Sequence, residues 1–279
     1  MCIRDRASPV QIITILDQGV SIQESITFIE GENYRQMMQR LGDHKGFLPL
    51  IKDQSDPAFF AAQRLDLSSF AIEVMPKKLS YEGWYLPDTY FYDQHKPSLV
   101  LLDRAHQAMI EVLQSEWATR QPDLPYQTPY EALIMASLIE KETAVGTERA
   151  QIAGVFVRRL GKRMRLQTDP TVIYGLGADF DGNLRKADLR RDSPYNTYTR
   201  YGLPPTPIAM PGRAAIHAAL HPASGDALYF VAKGDGSHYF SSTFEEHQRA
   251  VQRYQIQQRR VDYRSHPAGQ TGSQKKDSG

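Results

Sequence analysis

Residues 132–139 (Ala-Leu-Ile-Met-Ala-Ser-Leu-Ile) carry no charge and are apolar almost all the way round a helix. A helix of that kind is buried, and the pattern predicts it over 129–144, with a second at 147–163. Ahead of them, Leu99, Leu102, Ala105, Ala108, Met109 and Leu113 recur near one face of a long amphipathic helix from 97 to about 117. Ser8-Pro9 before the apolar stretch 10–16 reads as an N-cap and a first-turn proline opening a short helix that ends near Gly19. Residues 25–30 alternate and are β-branched, which predicts a strand. Asn33 then opens a helix through Leu41, and another short helix is expected at 56–65. The aromatic stretch 82–92 reads as two short strands about a Pro87-Asp88 turn. Regular patterning fades between Gln167 and Gly212, a length that points to function in a compact domain. It returns as strands at 227–232 and 238–241 joined through Gly234-Asp235-Gly236, then a helix from Thr243 to about Arg260. Residues 266–279 read as a disordered tail. The sum is an α+β fold, rich in helix, with short antiparallel strands.

Composition changes this picture little. A chain of 279 residues with 41% hydrophobic and 10% aromatic content can bury a sizeable core. Its formal net charge of +1 supplies no global field for nucleic acid. Cys2 is the only cysteine, so neither a disulfide framework nor a cysteine metal site is expected. No apolar stretch approaches the roughly 18–20 residues of a membrane span, and residues 1–6 lack the apolar core of a signal peptide.

Candidate chemistry centres on Glu140, which follows the apolar run on the face of Leu133, Ala136 and Ser137. Partial desolvation there raises a carboxyl pKa and keeps a proton available for a glycosidic oxygen. By position alone, a glutamate that merely reaches water from a helix end is the commoner arrangement. Glu142 lies about 200° further round the helix, which assigns it to an arginine or to the following loop. Asp169 precedes Pro170 and reads equally as an N-cap or as a site carboxylate. Pro194-Tyr195-Asn196-Thr197-Tyr198 offers aromatic faces for stacking and an amide for sugar hydroxyl and N-acetyl groups, with a packed turn as the ordinary alternative. His217 and His221 are four apart, but no Glu follows His217, so the zinc-protease pattern fails and no metal is expected. His238 and His247 give no better metal signal. Phosphate loops and nucleophile elbows are absent as motifs, and no cofactor is expected.

Several motifs occur in one order: Glu82-Gly83-Trp84-Tyr85-Leu86-Pro87-Asp88-Thr89-Tyr90, then residues 136–144, 166–175, 193–198, 202–212 and His238-Tyr239-Phe240…Glu246-His247. Over about residues 8–258 this resembles the MltG (YceG-like) family of endolytic murein transglycosylases. The resemblance implies cleavage between N-acetylmuramic acid and N-acetylglucosamine with no water consumed. The muramyl C6 hydroxyl attacks the anomeric carbon and leaves a 1,6-anhydro end, with one carboxyl group acting first as acid and then as base. The family's catalytic glutamate falls at Glu140, and Gln167, Asp169, Tyr195, Asn196 and Tyr198 fall at other motif positions that suit a glycan site. Thr206 and Met210 depart from the family pattern, in which Gly and Asn are frequent.

By the same resemblance, a transmembrane anchor and a small LysM-like α/β module precede the catalytic domain, on the outer face of the cytoplasmic membrane. The implied organisation is an unmatched start at 1–7, the remainder of the module and a connection at 8–76, the catalytic domain at 77–262, and a tail at 263–279. Expected partners are peptidoglycan glycan strands, with cell-wall synthases as candidates, and the membrane only through an anchor absent from this chain. Two other functions fit the same residues: a hydrolytic muramidase using Glu140 and Asp169, and a non-catalytic glycan-binding regulator.

Overall fold

A computed structural model describes residues 23–44, 81–93 and 98–257. The helices expected at 10–16 and 56–65 and the tail at 266–279 lie outside the described residues. In chain order the elements are strand β1 (Gln23–Thr27), helix α1 (Tyr34–Asp43), strand β2 (Thr89–Asp93) and helices α2 (Ser98–Ala118) and α3 (Pro129–Glu142). Helices α4 (Arg149–Gly161), α5 (Asp169–Leu176), α6 (Lys186–Arg190) and α7 (Arg213–Leu220) follow, then strands β3 (Tyr229–Ala232) and β4 (His238–Ser241) and helix α8 (Phe244–Val251).

Helix α3 is the axis of the fold. Thr128 caps it by accepting the Glu131 N–H, Pro129 occupies the first turn, and every residue from Ala132 to Glu140 is buried. It is surrounded by α2, α4, α5 and α7, so its all-round apolar surface has neighbours on every side. Truncating one of its fully buried leucines, such as Leu133, is expected to cost about 2–5 kcal/mol. Helix α2 buries a wider stripe than its pattern suggests. Leu101, Leu102 and Ala105 enter one cluster, with Ile26, Phe28, Met37, Met38 and Leu41. Further along, Met109, Ile110, Val112 and Leu113 enter the main core. One helix serving two clusters needs two faces.

β1 and β2 pair antiparallel, Gln23 opposite Asp93 and Thr27 opposite Thr89. β3 and β4 form a second hairpin, Tyr229 opposite Ser241 and Ala232 opposite His238. The 82–92 stretch holds one strand, not two. Gly83 sits at φ +85°, where a Cβ would meet Pro207 Cγ at 2.6 Å, and the Leu86 N–H donates to the Ala105 carbonyl. That backbone is bound to a loop and a helix, which leaves β2 to pair with β1. Residues 167–212 are also more ordered than expected, since they hold α5 and α6. Thr168, not Asp169, is the N-cap of α5. Beyond Val251 the last helix loosens into a π-helical turn at Gln252–Gln257.

Candidate active site

Glu140 leaves the last turn of α3 buried, with 3% exposure. One carboxylate oxygen accepts the Gly212 N–H at 2.9 Å. The other faces Arg149 Nη2 at 3.4 Å. Burial is the largest influence and raises the Glu140 pKa. The Gly212 hydrogen bond and the Arg149 charge pull it down, and the charge of Glu30 pushes it up. A proton held by desolvation, with two donors ready for the conjugate base, suits a group that must give up a proton and recover it.

Three distant segments build this environment. Gly212 is the N-cap of α7, so the positive end of that helix faces Glu140. Arg149 opens α4, and its neighbour Glu148 anchors β4 by accepting from the His238 backbone N–H at 2.9 Å and facing its Nδ1 at 2.8 Å. Glu30 comes from the turn after β1. It lies 3.9 Å from the same Arg149 nitrogen that faces Glu140, and its carboxylate occupies the space where a Gly212 Cβ would project. That turn is fixed by Gly31 N–H to the Met210 carbonyl at 2.9 Å, Met210 N–H to the Glu32 carbonyl at 2.8 Å, and Lys141 Nζ to the Gly31 carbonyl at 3.1 Å.

Behind the site, Glu82 is buried and accepts the Tyr34 backbone N–H at 2.9 Å and the Tyr174 hydroxyl at 3.0 Å. Burial pushes its carboxyl up to about 7. Ser137 Oγ accepts the Ile208 N–H at 3.0 Å and so ties the proline-rich loop to α3. Both departures from the family pattern are packed there. Thr206 bonds to the Tyr195 hydroxyl and the Pro207 carbonyl, and Met210 joins the core around α1.

Glu142 faces another neighbourhood. It accepts the Thr168 hydroxyl, and burial raises its carboxyl to about 7, with Asp169 pushing it up and Arg159 pulling it down. Beside it, exposed Asp169 accepts the Tyr198 hydroxyl at 2.5 Å. Gln167, also exposed, takes a left-handed backbone at φ +52°, donates its N–H to the Thr197 carbonyl and faces Arg159 through Oε1 at 3.4 Å. Left-handed backbone at a non-glycine residue is strained and recurs at functional sites. Tyr195 packs its ring against Tyr174 at 5.0 Å.

The structure thus groups Gln167, Asp169 and Tyr198 around the Glu142 face of α3. Asn196 differs from expectation. It is 1% exposed, its amide donates to the Asp188, Leu189 and Arg191 carbonyls, and its oxygen accepts the Tyr198 N–H. A loop with so many polar backbone groups needs an internal donor, and the Asn196 amide supplies it in this structure. Glu30, Arg149 and Glu82 were not singled out as site residues from the sequence. The distant pairings that bring them in leave no local pattern.

Residues 2–253 match the YceG-like family. The chain belongs to that family. The match reaches Cys2, ahead of the start at residue 8 indicated by the motifs. An endolytic murein transglycosylase of Bacillus subtilis is 36% identical over 88% of this chain and 68% of its own length. One of Streptococcus pneumoniae is 32% identical over 81% of this chain, which spans only 44% of that relative. The crystal structure of a YceG-like protein from Listeria monocytogenes superposes with a TM-score of 0.69 at 33% identity, covering 86% of this chain and 80% of that one. Among the described residues of this YceG-like chain no helix is long and apolar enough to cross a membrane. One group of metal-ligating side chains does come together there: Glu116, His217 and His221.

Proposed function

We propose that this chain cleaves peptidoglycan glycan strands as a lytic endotransglycosylase with Glu140 as its single acid/base. The observation that carries the reading is a buried carboxyl of raised pKa, held by one backbone N–H and one guanidinium. In the first half-reaction the Glu140 proton passes to the glycosidic oxygen as the bond to the muramyl anomeric carbon breaks. Arg149 and Gly212 then stabilise the carboxylate. In the second, Glu140 takes the proton of the muramyl C6 hydroxyl while that oxygen bonds to the anomeric carbon. The proton count returns to its start, no water is consumed, and the product ends in a 1,6-anhydro ring. General acid–base catalysis of this kind contributes about 10²–10⁴-fold.

Gln167, Asp169, Tyr195 and Tyr198 line the glycan path in this reading, with Asn196 shaping the loop that carries them. The names of the relatives support the substrate class. The role is to limit strand length during wall synthesis beside a cell-wall synthase. Its setting is the outer face of the cytoplasmic membrane, behind an N-terminal anchor and LysM-like module.

One observation favours a second mechanism. Glu30 shares an Arg149 nitrogen with Glu140, a proximity suited to the roughly 5–10 Å spacing of two-carboxylate hydrolases. Asp169, the second carboxylate of the alternative read from the sequence, accepts the Tyr198 hydroxyl and bears on Glu142. Mass spectrometry of digested, uncrosslinked peptidoglycan separates the two mechanisms. Anhydromuramic ends are expected, whereas reducing ends carrying an added water would transfer the chemistry to a Glu140–Glu30 hydrolase. A non-catalytic regulator would release no fragments at all.

A further inference from the structure

Helix α7 starts at Glu140 and ends, about 12 Å away by helix rise, in a cluster that glycan cleavage does not use. His217 and His221 lie one turn apart with nearly parallel rings, centroids 4.2 Å apart and 17° between planes. Glu116, from the last turns of α2, reaches across to His217, with Oε2 2.8 Å from Nδ1. One donor atom from each of the three lies within 4.8 Å of the other two. We propose that Glu116, His217 and His221 form a binding site for a zinc-type divalent cation.

The donor set selects the ion. Two imidazoles and a carboxylate suit zinc and its late transition-metal neighbours, whereas magnesium and calcium call for oxygen ligands. Histidines four apart on a helix share one face. The carboxylate comes from a different helix 101 residues away, which is why the spacing around His217 gave no metal signal. His221 has the outer partners of a metal-bound imidazole. Its Nε2 lies 2.8 Å from the Thr119 carbonyl and its Nδ1 3.2 Å from the His217 carbonyl. A neutral ring has one N–H, so it donates to one of these carbonyls and must turn its other nitrogen away from the second before that lone pair can meet an ion, the retained carbonyl then orienting the ring. Glu116 is enclosed and His217 open, with side-chain exposures of 14% and 58%. The site therefore has a half-buried carboxylate, an entry path, and an exposed imidazole that can turn toward ligand distance of about 2.0–2.1 Å. An ion there would bolt α7 to α2 where the Gln121 N–H already meets the Leu220 carbonyl at 3.0 Å. It would also hold at its far end the helix whose N-cap contacts Glu140.

The test needs no activity. The chain is titrated with Zn²⁺ against a chromophoric chelator, with Mg²⁺ as the counter-probe, while thermal unfolding is followed. One Zn²⁺ per chain is expected, raising the unfolding midpoint by roughly 5 °C or more at saturation, with no response to Mg²⁺. His217→Ala, an exposed position, should keep the helical signal, weaken zinc binding at least about 100-fold and abolish the rise in midpoint. Glu116→Gln should weaken binding too, and Glu140→Gln should leave it unchanged. Absence of saturable binding to the unmodified chain, or binding of equal strength to His217→Ala, overturns the site. So does a Glu116→Gln chain that is destabilised equally with and without zinc while still binding it, because the cluster is then only a hydrogen-bonded clasp.

Discussion

Glu140 and Glu142 leave the same last turn of α3, yet they differ in every partner. Glu140 meets the N-cap of α7, the first residue of α4 and a carboxylate from the turn after β1. Glu142 meets the loop before α5, through Thr168, with Asp169 and Arg159 near it. Burial raises both carboxyls, so desolvation alone does not single out an acid. The difference lies in what waits for the proton's departure. Glu140 has a guanidinium and a backbone N–H for the carboxylate it becomes, and a neighbouring Glu30 whose charge helps hold the proton on until it is needed. Glu142 has only a neutral hydroxyl as donor, with the charges of Arg159 and Asp169 opposing one another nearby.

Four substitutions sharpen or break this contrast. Glu140→Gln should lower the cleavage rate by about 10³-fold or more with the fold retained by circular dichroism; a variant that still cleaves at a tenth of the normal rate would move the chemistry elsewhere. Arg149→Ala removes a charged hydrogen-bond partner, so a loss of about 10–100-fold is expected. Because Arg149 lowers the Glu140 pKa, the alkaline limb of the pH–rate profile should also move up. Glu30→Gln should move that limb the other way, since Glu30 raises the Glu140 pKa and the acid must be protonated to act. Gly212→Ala should imitate Glu30→Gln, because a Cβ there takes the place of the Glu30 carboxylate while φ of −77° suits alanine. An unmoved limb in both would remove Glu30 from the site.

The smallest effect on cleavage is expected from Glu142→Gln, whose signature is in stability. The ordinary carboxyl value of 4.5 is raised to about 7 in the folded chain. Below about 4.5 the group is protonated whether the chain is folded or not. Between those values only the unfolded chain ionises, so stability falls as pH rises, and above about 7 the loss is complete. The shift corresponds to a loss on the order of 3 kcal/mol. Glu142→Gln should make denaturation midpoints fall less steeply across that window, with Glu82, also raised to about 7, and Glu140, raised as well, contributing to the slope that remains.

Much of this was legible in the sequence because it is local. The start of α3 at Pro129, its burial, the antiparallel strand at His238–Ser241 and the position of Glu140 all follow from adjacent residues. The rest of the Glu140 environment does not. Glu30 is brought to Glu140 by β1 pairing with a strand beyond residue 80 and by the Gly31–Met210 contacts, and no periodicity encodes either. Asn196 turns inward for a related reason: an amide attractive to a sugar is equally attractive to a loop's own carbonyls, and those nearer acceptors hold it here.

The pairing of β1 with β2 has a consequence for the order in which the molecule is completed. Thr27 and Thr89 face each other across 62 residues of chain, whereas α3 and α4 are neighbours in sequence. Closing so long a loop is slow relative to local helix formation. The carboxylate that tunes Glu140 is therefore expected to arrive late in refolding, after a helical core has formed with an acid of the wrong strength. Stopped-flow circular dichroism set against recovery of cleavage would show the lag, and coincident recovery would mean that the strands close first.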